Sequence, residues 1–134
     1  SDIGISTSTT TGILGFLTNS IASPISLSST ATTFDGPSVS QGSSGVWYAS
    51  GTITILQGAG AGAQHCKLWD GTNTVAAGLF TATATFANTI SLSGAISAPA
   101  GNLRMSVVVA AAGTMLSTTN AYANASTITA VRIG

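Results

Sequence analysis

The sequence predicts an all-β chain folded as an antiparallel, jelly-roll-like β-sandwich with an N-terminal arm. Three observations carry this. From Gly45 onward, apolar and small polar residues alternate with period two, the mark of strands buried on one face. Gly, Pro, Asn and Asp interrupt the alternation at intervals that suit short strands rather than helices. Charge is scarce: of 134 residues only Asp2, Asp35, Lys67, Asp70, Arg104 and Arg132 carry it, and there is no glutamate.

The first third stands apart. Residues 6–11 are all Ser or Thr, residues 12–17 form a compact apolar patch, and Ile21, Ile25 and Leu27 bracket Pro24. Clean alternation is missing, so residues 1–33 read as an arm or attachment segment with one or two short strands, and residues 34–134 as the jelly-roll domain. The alternative is that 1–33 supplies the first strands of the same sandwich.

The strands then follow in order. Over 45–56, Trp47, Ala49, Gly51, Ile53 and Ile55 share one face, with Val46, Tyr48, Ser50, Thr52 and Thr54 on the other. Asp70-Gly71-Thr72-Asn73 is a hairpin signal joining 64–69 to 74–77, because glycine takes the positive φ that a tight reversal needs. Over 88–97, Ile90, Leu92, Gly94 and Ile96 line one side. Over 103–111, Leu103, Met105, Val107 and Val109 oppose Arg104, Ser106 and Val108. Over 126–133, Thr127, Thr129, Val131 and Ile133 oppose Ile128, Ala130 and Arg132. Asp35-Gly36-Pro37, 41–45 and 98–102 read as breaks, which puts Asp35 and Asp70 in turns and Lys67, Arg104 and Arg132 in strands.

A chain of this length fits one domain and buries about two-thirds of its unfolded surface. A disordered chain is excluded because the hydrophobes are present and regularly spaced. Ordinary domains are about one quarter charged, so this chain reads as a subunit that hides much of its surface. Zero formal net charge offers no footprint for nucleic acid or an anionic membrane. The longest apolar run, 107–112, is too short to span a bilayer, and no secretory leader pattern is present.

Catalytic equipment is sparse, and the expectation is a protein that is not an enzyme and holds no cofactor or metal. His65 and Cys66 are adjacent in a strand, so they face opposite sides and cannot act as a nucleophile–base pair. Cys66 reads as a buried structural thiol and His65 as an exposed surface histidine rather than a metal ligand. The Asp residues do not pair as acid and base, and Asp70 is a turn former. Residues 58–62 lack the Lys-Ser/Thr of a phosphate loop and read as a connector. Asn124-Ala125-Ser126 matches a glycosylation acceptor by chance. Trp69, beside its turn, and Tyr122, in a loop, are candidates for stacking on a sugar ring, whereas Trp47 belongs to the core.

One resemblance rests on an ordered set of motifs: 36–40, then Gly45-Val46-Trp47-Tyr48-Ala49-Ser50-Gly51-Thr52, Lys67-Leu68-Trp69-Asp70-Gly71-Thr72, 89–94 and 126–134. Over residues 34–134 this succession resembles the trimeric β-sandwich modules of tailed-bacteriophage structural proteins, whose jelly roll is similar to that of tumour-necrosis-factor-like proteins. The resemblance implies a homotrimeric head-decoration or head-fibre protein on the virion capsid surface, assembled in the host cytoplasm and partnered by itself and the major capsid protein or another virion protein. It transfers no catalytic residue. The N-terminal patch, Ile13, Leu14, Phe16 and Leu17, is then the candidate capsid attachment. Arg104 and Arg132 are candidates for the trimer interface, bonded to a carbonyl or to Asp35 or Asp70, as against facing solvent. A start at Ser1-Asp2 favours a small stand-alone protein over a fragment of a tail fibre. The alternative function is a receptor- or glycan-binding tip of a fibre, recognising a host surface glycan. An exported bacterial surface protein shares the composition but normally needs a leader.

Overall fold

The computed structural model describes residues 15–28, 30 and 32–134. Its strands are β1 (Phe16–Ser20), β2 (Ile25–Leu27), β3 (Phe34–Val39), β4 (Val46–Gln57), β5 (Gly62–Trp69), β6 (Thr74–Ala82), β7 (Ala87–Ser97), β8 (Leu103–Val109), β9 (Gly113–Met115), β10 (Thr118–Thr119), β11 (Tyr122–Ala123) and β12 (Thr127–Arg132). They form two main antiparallel sheets. The larger runs β1-β12-β4-β7, with the short β9 and β2 carrying the β12 side of β4 onward. The smaller runs β3-β8-β5-β6, and β10 pairs with β11 as a separate hairpin.

The alternation read from the sequence sets which face is buried. Trp47, Ala49, Ile53 and Ile55 of β4 and Ile128 and Ala130 of β12 meet Cys66 and Leu68 of β5 and Leu103, Met105, Val107 and Val109 of β8 in one core. Gly51 belongs to this packing, because a Cβ there would collide with the Met105 side chain lying across it. The strand over 103–111 ends at Val109, although Ala110 still donates its N–H to the Ala63 carbonyl at 2.9 Å. The hairpin partner expected over 74–77 extends to Ala82.

In the first forty residues the alternative reading holds at one point and a turn is corrected at another. Residues 16–20 and 25–27 are strands of the larger sheet: β1 pairs with β12 and β2 with β9, and Leu27 is fully buried. The sequence left the two placements open because each strand lends only one or two apolar residues to the core. Asp35-Gly36-Pro37 is a β-bulge inside β3 rather than a turn, with the register jumping between Asp35 and Ser38. An edge strand such as β3 accommodates proline, whose missing N–H leaves no central ladder broken.

Candidate functional site

The two outer faces of the sandwich differ in chemistry, and each was written by the polar half of the strand alternation. On the smaller sheet, His65, Lys67 and Trp69 alternate along β5 and sit opposite Val108, Ser106 and Arg104 of β8. Asp35 of β3 lies beside Ser106. These side chains form a network. The Ser106 hydroxyl donates to Asp35 Oδ1 at 2.6 Å and accepts from the Trp69 indole N–H at 2.7 Å. Arg104 pairs with Asp35 Oδ2 at 3.3 Å and donates to the Asn102 carbonyl at 3.0 Å. Lys67 Nζ stands 3.4 Å from the centre of the Trp69 ring, and the Arg104 guanidinium carbon 5.8 Å from it. Trp69 is therefore half-buried with its polar edge satisfied and a ring face covered by an ammonium, not the open platform that sugar stacking requires.

Beside this network a groove of about 410 Å³ opens across β8, β5 and β6, with Thr33 at its border. Cys66 touches it but is buried, and burial pushes its thiol up to about 12, which leaves it protonated and unreactive. Asp70 belongs to the turn. Its carboxylate accepts from the backbone N–H groups of Thr72, Asn73 and Ala100 and from Asn73 Nδ2. Among the described residues no three of His, Cys and Asp gather as metal ligands. No helix among them is long and apolar enough to cross a membrane.

The outer face of the larger sheet carries no charge along its rows. Across β1, β12, β4 and β7 the register aligns Phe16, Val131, Tyr48 and Ala95; then Thr18, Thr129, Ser50 and Ser93; then Ser20, Thr127, Thr52 and Ser91. The first row is exposed and apolar, with Phe16 at 62 % and Tyr48 at 45 %. The hydroxyls bond sideways: Thr18 to Thr129 at 3.2 Å, Ser20 to Thr127 at 3.0 Å, Thr52 to Ser91 at 3.1 Å and Thr54 to Thr89 at 2.9 Å. Hydroxyls that satisfy one another lose less when covered than hydroxyls that depend on water. The result is an uncharged surface suited to burial.

No family model matches this chain, and no curated protein does. Solved structures do. The chain is similar to the structure of Eiger TNF from S. frugiperda, with a TM-score of 0.57 at 13% identity over 89% of this chain and 93% of that one. A weaker likeness, TM-score 0.41 at 11% identity over 88% of this chain and 100% of the other, is to the C-terminal CBM6 of LamC, a marine laminarinase from Zobellia galactanivorans. The fold is a jelly roll.

The remaining sequence candidates fall in separate places. Ile13 and Leu14 lie outside the described residues. Phe16 stands on the uncharged face, but Leu17 turns inward and packs on the core, so it is not free to attach to anything. Tyr122 is 72 % exposed in β11, following a reversal whose Asn120 and Ala121 both have positive φ. It shares no sheet with Trp69. Arg104 lies on the smaller sheet, while Arg132 ends β12 opposite buried Trp47 and donates to the Gly134 carbonyl at 2.9 Å. The Ser126 hydroxyl of the glycosylation-like triplet is buried and donates to the Leu116 carbonyl at 2.7 Å.

Proposed function

We propose that this chain is a structural subunit of a bacteriophage virion, a homotrimeric head-decoration or head-fibre protein that binds and reinforces the capsid surface without catalysis. The observation that carries the reading is the uncharged outer face of the larger sheet. Its Phe16–Val131–Tyr48–Ala95 row and its self-bonded hydroxyl rows are poorly suited to permanent exposure. Protein interfaces lose charge at their centre and gain aromatic residues such as Tyr and Phe. The threefold number and the viral setting rest on the resemblance of residues 34–134, and the face supplies surface for subunits to bury. Leu56, at 39 % exposure on the same face, extends the apolar character towards the far end of β4.

The virion claim is tested by adding the purified protein to phage heads assembled without it. Saturable cosedimentation, with the heads surviving heating to a higher temperature, is the expected result. Heads that bind no protein at micromolar concentration contradict the claim.

A further inference from the structure

The groove on the smaller sheet lies on the face opposite to the one assigned to assembly, and its chemistry is distinct. Small residues, Ala77, Gly78 and Ser106, leave the space open, while Leu79 and Val108 give it apolar borders. Its volume of about 410 Å³ suits a compact small molecule. Its charge comes from Lys67, and no acid is among its lining residues.

That charge is poised rather than satisfied. The nearby carboxylate, Asp35, is engaged by Ser106 and Arg104. Among the described residues Lys67 has no carboxylate partner, and its ammonium rests on the Trp69 ring at 3.4 Å. A cation–π contact at such a partly exposed site is weak. A charge-assisted hydrogen bond to a carboxylate is roughly twice as strong as a neutral one, so an acid entering the groove would draw the ammonium off the ring. His65 lies two residues earlier on the same strand and face, where its ring N–H can serve as a second donor. We infer that the groove is a binding site for a small carboxylate with a compact, partly apolar body. The carboxylate meets Lys67 and His65, and the body lies against Leu79 and Val108. Two sources share this chemistry, an acidic sugar residue of a glycan and a free hydroxy acid.

The test is a titration of the intact protein with D-glucuronate, followed by amide chemical shifts and tryptophan fluorescence, with glucose as the neutral control. Saturable shifts on β5, β6 and β8 with a Kd of about 1 mM are expected, together with a change in Trp69 emission as Lys67 leaves its ring. Lys67→Met keeps the apolar stem and should weaken binding by about tenfold or more, while Lys67→Arg retains it. Short oligouronates binding more tightly than the monomer identify a glycan as the source. Lactate binding as well as glucuronate identifies free acids. No shift up to about 50 mM, equal binding of glucose, or full affinity in a folded Lys67→Met protein overturns the inference. The oligomeric state plays no part in this readout, so it stands or falls apart from the assembly proposal.

Discussion

Asp70 shows most clearly how single residues hold this fold. Burial alone would raise its carboxyl, but the backbone N–H groups of Ala100, Asn73 and Thr72 and the Asn73 side chain outweigh that and hold it at about 2, against 3.8 for a free aspartate. The bonds tie the β5–β6 turn to the loop before β8, and Gly71 at φ +94° completes the reversal. A lowered carboxyl contributes stability that is complete above its unfolded value and is lost as pH falls through the folded one. Asp70→Ala should therefore cost about 3 kcal/mol in urea unfolding at neutral pH. The gap between variant and parent should shrink as pH drops from about 4 towards 2. A gap that does not change with pH contradicts this account. The turn role was legible in Asp-Gly-Thr-Asn, but the long-range bond to Ala100 was not, because nothing local joins residues thirty positions apart. Gln57 and Gln64 were equally hidden. Both are buried, Gln64 Nε2 donates to Gln57 Oε1, and Gln57 Nε2 donates to the Gly60 carbonyl at 2.6 Å. Gln57 lies just past the strand expected over 45–56, and nothing local pairs it with Gln64.

At the level of elements, strict alternation made β4, β5, β7, β8 and β12 readable, since period two fixes both the strand and its buried face. β1 and β2 were legible only as one or two short strands of open placement, because each is short and Pro24 separates them. Their partners lie far along the chain, Val131 for Phe16 and Met115 for Ile25, beyond any local signal. Leu27 tests whether this segment is part of the fold. It is fully buried, so Leu27→Ala should lower stability by about 2–5 kcal/mol. A loss below about 0.5 kcal/mol in chemical unfolding would mean that the segment is a detachable appendage. The candidate site was partly legible on the same grounds. The outward faces of β4 and β12 could be listed strand by strand, but the order β1-β12-β4-β7 that lines them into one face could not. The groove likewise requires β8, β5 and β6 side by side.

At the scale of the whole molecule the scarcity of charge resolves into an asymmetry. Asp35, Lys67 and Arg104 lie on the outer face of the smaller sheet, Asp70 is in its hairpin turn, and Arg132 ends β12. The opposite outer face keeps hydroxyls and an apolar row. On the proposed reading the charged face is left to solvent and small ligands and the uncharged face to other copies of this chain. The central claim is that the uncharged face is buried between copies, and the mass in solution tests it most directly. Sedimentation equilibrium at micromolar concentration should give three times the 13.1 kDa chain mass. Thr129→Arg, which places a charge among the hydroxyl rows while the core is left intact, should reduce that to a folded single chain. A parent protein that sediments as a single 13.1 kDa chain, or a Thr129→Arg protein that keeps the threefold mass, would contradict the account.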